Sequence, residues 1–207
     1  MSLSRGYLAA TGNSNYGWFG GGVTGAPVYS RVDRINFFND MAIASVRGPL
    51  SASRGYLAAT GNSNYGWFTG GGGFVSRVDR INFSNDLATA SLRGSLLTGR
   101  ALHAATGNSN YGWFGGGATP AIITTVNRID FSNDSATASL RGSLTSARYS
   151  LAATGNSNYG WFGGGATPTS VNTVDRIDFS NDLAIASPRG PLSQARYYLS
   201  ATSNTTR

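Results

Sequence analysis

The chain has no cysteine, no lysine and no glutamate, and a single histidine, His103, among its 207 residues. Without cysteine there are no disulfides, thiolate metal sites or cysteine nucleophiles, and the redox compartment is left open. Without lysine there is no Walker phosphate loop. One imidazole cannot build a multi-histidine metal site. No apolar run approaches the ~20 residues of a membrane span, and no signal-peptide pattern opens the chain. The charges that are present are 16 arginines and 9 aspartates, for a net charge of +7. Both types favour fixed, forked hydrogen bonding over loose surface screening, and the excess of arginine could draw a polyanion.

What the sequence has in abundance is itself. Arginine recurs at Arg5, Arg54, Arg100, Arg148 and Arg196, at spacings of 49, 46, 48 and 48 residues. After each of the first four comes an apolar stretch and then T-G-N-S-N-Y-G-W-F, identical in every copy, from Thr11–Phe19 to Thr154–Phe162. Glycines follow, then a loop, then V-[DN]-R-I-[ND]-F, then [FS]-N-D and an apolar run ending in R-G-[PS]-L. The repeats span about 5–53, 54–99, 100–147 and 148–195, with a partial fifth at 196–207, and form one domain.

Each copy reads as four strands. In the first, these are Tyr7–Thr11, Tyr16–Gly20, roughly Arg31–Phe37 and about Met41–Val46. Gly12-Asn13-Ser14-Asn15 is suited to a reversal because Gly and Asn tolerate positive φ. No segment has a helical period with caps. Alternation puts Tyr16 and Trp18 on one face and Gly17 and Phe19 on the other. A lone sheet cannot hide both faces, so each Tyr/Trp face is expected to bury against the next copy's Gly/Phe face. The fold class is therefore all-β, a β-propeller of four-stranded antiparallel blades with four blades in this chain; a β-solenoid would satisfy the same need.

This pattern resembles the Kelch repeat of β-propellers. Arg100-Ala101-Leu102-His103-Ala104-Ala105 is similar to its arginine and first strand, and Tyr111-Gly112-Trp113-Phe114-Gly115-Gly116 to its tyrosine strand and double glycine. Val126-Asn127-Arg128-Ile129-Asp130-Phe131 is similar to the third strand. The chain lacks the fourth-strand tryptophan usual in that family and carries its tryptophan on the second strand. The glycine-, asparagine- and arginine-rich array also resembles predicted virion or tail proteins of marine phages, which implies an association with virions.

Candidate chemistry is sparse. Gly20-x-Gly22-x-x-Gly25 matches a dinucleotide fingerprint as a string but lacks the following helix. Ser84-Asn85-Asp86 resembles the opening of the Asp-box turn of sialidase-type propellers, which is structural. Asp130-x-Ser132-x-Asp134 lacks the glycine and closing glutamate of a calcium loop. His103 falls where other copies carry Leu8, Leu57 or Leu151, and the aspartates recur by repeat, as structural pairs would. No catalytic, metal-binding or cofactor-binding residue is expected.

Two arginine sets are candidates for holding an anion: Arg34, Arg80, Arg128 and Arg176, and Arg47, Arg93, Arg141 and Arg189. The competing expectation pairs them with Asp33, Asp40 and their equivalents. The loop after the glycines varies most and carries candidate recognition residues Tyr29, Phe74, Ile122 and Thr169. The expected function is a non-catalytic structural or binding propeller, a scaffold for protein or assembly interactions. Its alternatives are a carbohydrate-binding propeller and a glycan-active enzyme. Expected partners are a protein or a glycan, with a polyanion or a second copy joined through unpaired terminal strands as further options, and no membrane.

Overall fold

The computed structural model describes Met1 and residues 3–202. The protein is all-β: four antiparallel sheets of four strands, one per repeat, each in simple chain order. The first sheet holds β1 (Ala9–Gly12), β2 (Tyr16–Gly20), β3 (Val32–Asn36) and β4 (Ser45–Arg47). The second holds β5 (Ala58–Gly61), β6 (Tyr65–Thr69), β7 (Val78–Asn82) and β8 (Ser91–Leu92). The third holds β9 (Ala104–Gly107), β10 (Tyr111–Gly115), β11 (Val126–Asp130) and β12 (Ser139–Arg141). The fourth holds β13 (Ala152–Gly155), β14 (Tyr159–Gly163), β15 (Val174–Asp178) and β16 (Ser187–Arg189). The first strands β1, β5, β9 and β13 lie side by side in that order. No helix among the described residues is long and apolar enough to cross a membrane.

Two strands are shorter than the sequence suggests, for local reasons. Tyr7 sits in the left-handed region at φ 53°, so the first strand cannot begin before Ala9. In repeats two to four the N-D turn tightens into a 3-10 turn, Phe83–Asn85 and its equivalents, because Asn82, Asp130 and Asp178 each accept from the amide and hydroxyl of a serine two residues on. Phe38 replaces that serine in the first copy, so Asn36 accepts only the Phe38 amide and no 3-10 turn forms. The G-N-S-N reversal also differs in mechanism. No residue of it has positive φ; instead Asn13 Oδ1 accepts the Asn15 and Tyr16 amides at 2.9 and 3.0 Å.

The register explains the packing. Thr11, Trp18, Arg34 and Ser45 lie across one row of the first sheet, and Ala10, Phe19, Asp33 and Val46 across the next, so the two rows face opposite neighbours. The Trp18 row turns toward the second sheet, where the indole stacks on Phe83 at 3.8 Å. Gly66 and Phe68 of that second sheet face back, and a Cβ on Gly20 would lie 2.7 Å from the Phe68 ring. The Tyr/Trp face thus meets the next copy's Gly/Phe face, as alternation requires. Every hydrophobic cluster straddles a junction: Trp18, Val32 and Leu50 with Leu57, Phe68 and Ile81 at the first, the same set at the third, and the same set without the leucine of Leu57's position at the second, where His103 stands. The repeats have no core of their own and share one with each neighbour.

Candidate functional site

The geometry at each junction is built around one aspartate. Asp86 of the second sheet accepts from Trp18 Nε1 at 2.8 Å and from Arg34 Nη1 at 3.0 Å, and Arg47 Nε lies 3.5 Å away. Asp134 repeats this with Trp67, Arg80 and Arg93, and Asp182 with Trp113, Arg128 and Arg141. Each of Arg34, Arg80, Arg128 and Arg176 also lies over the face of its own tyrosine, at 4.2–4.3 Å. Six of the eight candidate arginines are therefore engaged by carboxylates across a junction. Arg176 and Arg189, on the outer face of the fourth sheet, have no such carboxylate among the described residues. There Trp161 is only partly buried, whereas Trp18, Trp67 and Trp113 are fully enclosed.

A second row of charge lies beneath. Arg5, Arg54 and Arg148 pair with the buried Asp33, Asp79 and Asp175 of their own repeats, and each arginine also donates to backbone carbonyls. The third repeat departs from this. Asn127 stands in the aspartate's place and accepts from Arg100 Nη2 at 3.1 Å. Burial, with no carboxylate opposing it, lowers the fully enclosed Arg100 to about 10. Nearby, Thr69 occupies a position that is glycine in the other copies (Gly20, Gly115, Gly163), and His103 one that is leucine. The two odd residues meet, Thr69 Oγ1 to His103 Nε2 at 2.8 Å. Burial, reinforced by Arg100 and Arg54, holds His103 well below its ordinary range, so it is neutral.

The site that sequence reasoning missed lies where the first strands begin. Tyr7, Tyr56, Leu102, Ser150 and Tyr198 are all left-handed, with φ between 53° and 61°. Each costs roughly 1–2 kcal/mol relative to a right-handed residue. They persist because their backbones are tied in series: Tyr56 N to Tyr7 O, Leu102 N to Tyr56 O, Ser150 N to Leu102 O and Tyr198 N to Ser150 O, at 2.8–3.0 Å. Tyr198 belongs to the partial fifth repeat and continues the row. Together they line a hollow of about 590 Å³. The rings of Tyr7 and Tyr56 lie 4.3 Å apart, and that of Tyr198 is edge-on to Tyr7 at 5.6 Å. Tyr198, ahead of burial, raises the Tyr7 phenol above its ordinary range.

Among the described residues no charged side chain lines the hollow, although the chain carries a net charge of +7. The variable loops adjoin it. Val23, Ala118 and Ala166 open these loops and bridge to Gly6, Ala101 and Tyr149, each one residue before a left-handed position. Of the loop candidates, Tyr29 is half-buried with its hydroxyl 3.0 Å from Thr24 Oγ1. Phe74 is itself left-handed and exposed, Ile122 closes a bridge with Ala118, and Thr169 is exposed. The sequence did carry one signal for the hollow. One and two residues after each repeat arginine, identity changes freely (Gly, Gly, Ala, Tyr, Tyr and then Tyr, Tyr, Leu, Ser, Tyr), just ahead of a near-constant stretch.

Eight of the nine aspartates are occupied elsewhere, six in the arginine pairs above and Asp130 and Asp178 in capping turns, where the serine hydroxyl hydrogen bond leads in lowering their pKa; the ninth, Asp40, is exposed on the outer side of the first sheet. No family model and no curated protein matches the chain.

Proposed function

We propose that the chain is a non-catalytic binding module, an arc of Kelch-like propeller blades that takes a neutral carbohydrate in the hollow ringed by Tyr7, Tyr56 and Tyr198. The blade arrangement is supported by three junctions with the same tryptophan–phenylalanine stack at 3.8 Å and by first strands set side by side. Repetition of one step between neighbours is how a propeller turns about its axis. The left-handed row lining the hollow carries the functional reading. Five aligned non-glycine residues held in a costly conformation, three of them tyrosines, are a feature that packing alone does not require.

The chemistry of the walls selects the ligand class. Tyrosine offers an apolar ring face and a hydroxyl at once, which suits the C–H faces and hydroxyls of a sugar. The volume falls within the ~300–1,000 Å³ typical of small-molecule sites. Because the described walls hold no charged side chain, the reading favours a neutral ligand over an anion. Among the described residues no acid lines the hollow and the paired carboxylates of a glycoside hydrolase are not found there, and the reading is of binding without turnover. The test is a glycan array read with the native chain and with a Tyr7→Ala/Tyr56→Ala variant. Retention of neutral glycans by the native chain and their loss in the variant is the expected result. No retained glycan, or retention by both, contradicts the reading.

A further inference from the structure

The two ends of the row of sheets are the two halves of one junction. On the outer face of the fourth sheet, among the described residues, Trp161 Nε1 has no hydrogen-bond partner, its ring no stacked phenylalanine, and Arg176 and Arg189 no ion-paired carboxylate. On the opposite face of the first sheet, Asp40 is exposed and pairs with no arginine among the described residues, and Phe37 is 52% exposed. By position in the repeat, Phe37 and Asp40 are the equivalents of Phe83 and Asp86, which receive Trp18, Arg34 and Arg47.

The backbone is matched as well. At the three formed junctions Gly48, Gly94 and Gly142 donate to the carbonyls of Asp86, Asp134 and Asp182 at 2.8–2.9 Å. Ala90, Ala138 and Ala186 donate back to Pro49, Ser95 and Ser143 at 2.8–2.9 Å. A Cβ on Gly48, Gly94 or Gly142 would collide with the next sheet's backbone, whereas one on Gly190 meets nothing within 4 Å. Gly190 and Pro191 on the fourth sheet, and Asp40 and Ala44 on the first, are the unmatched remainder of this pattern.

We propose that the outer face of the fourth sheet binds the first sheet of a second copy of this chain. In that contact Trp161 stacks on the partner's Phe37 and, with Arg176 and Arg189, converges on the partner's Asp40. The charges are complementary: two arginines meet one aspartate, as at each formed junction. Arg196–Thr202 already lies along the first-strand position there, with Gly165 donating to Arg196 O at 2.9 Å as Gly22, Gly71 and Gly117 donate to Arg54, Arg100 and Arg148. The incoming β1 offers the same contacts and is already paired with β2, so it takes that place. The contact is head-to-tail: it joins unlike faces, and therefore closes as a ring or runs on as a filament.

Sedimentation velocity on the full chain tests this with two single variants that break opposite faces. The native chain is expected to assemble with rising concentration. Asp40→Arg and Trp161→Ala should each weaken association by more than about tenfold, since each removes one side of a charge-assisted, desolvated contact. Asp40 is exposed, so its variant should melt like the native chain. Mixing the two variants is the discriminating arm: the intact first sheet of one meets the intact fourth sheet of the other, and assembly stops at a dimer. A native chain that stays monomeric at every concentration overturns the proposal, as does assembly that neither variant disturbs or a mixture that does not dimerise.

Discussion

Tryptophan stands at the same place in all four repeats, Trp18, Trp67, Trp113 and Trp161, with a phenylalanine and an aspartate waiting in the next copy wherever there is one. At the hollow the equivalents of Tyr7 are Tyr56, Leu102, Ser150 and Tyr198, so three residue types fill five equivalent positions. Junction residues must fit a neighbour that is itself a copy, so a change on one side needs a matching change on the other. Residues at the hollow face solvent or a ligand and meet no such constraint. The junction of the second and third repeats shows the rule from its exception: Thr69 of one and His103 of the other have both departed from the pattern, and they touch each other. In an array of near-copies, constancy marks packing and variation marks the surface that can be used.

The comparison can be broken hardest at the junctions. Trp67→Ala removes a fully enclosed indole, its stack on Phe131 and its bond to Asp134, and should cost about 3–5 kcal/mol in urea unfolding. The same truncation at Trp161, whose face is open, should cost the monomer well under half of that. Next come the buried arginines. Asp79→Asn leaves Arg54 as Arg100 already is, and should destabilise by roughly 1.5–3 kcal/mol. Asn127→Asp is the reverse change at the one place that lacks the carboxylate, and should raise the melting temperature.

Smaller effects sharpen the contrast. His103 is held neutral when folded, whereas in the unfolded chain it takes up a proton below about pH 6.5. Its folded pKa is the lower one, so stability falls as pH drops below that value toward the folded pKa. His103→Leu restores the residue of the other copies and should flatten this slope, read as melting temperature between neutral and mildly acid pH. Smallest of all, Tyr56→Gly relieves a left-handed residue at the loss of one ring contact. The relief is about 1 kcal/mol, so melting should stay level or rise slightly while glycan retention is lost.

Much of the fold was legible because its logic is alternation. The Y-G-W-F strand states which side chains share a face, and the need to bury both faces states that copies stack. The arginine–aspartate match was open to the sequence only as a set of options. Asp33 lies in the row of Phe19 and Asp40 in the turn after β3, and only the packing of sheet on sheet sends Arg34 across the junction to Asp86, the equivalent of Asp40, while Asp33 turns to Arg5. The hollow was illegible because it depends on a sign of φ. Tyr7-Leu8-Ala9 reads as the start of a strand, and nothing in tyrosine or leucine announces a left-handed turn that the serial hydrogen bonds of five repeats impose. The fourth strands ran shorter than expected because the N-D turn consumes residues whose apolar character suggested a strand.

The division between constant junction and variable hollow is tested most directly by measuring glycan binding and melting together on three proteins. These are the native chain, the Tyr7→Ala/Tyr56→Ala variant, and Arg34→Ala, which breaks a junction pair. The account predicts that the tyrosine variant loses the neutral glycan with its melting temperature held. It predicts that Arg34→Ala binds as the native chain does but melts lower. Binding that survives loss of both tyrosines, or disappears with Arg34 alone, would contradict it.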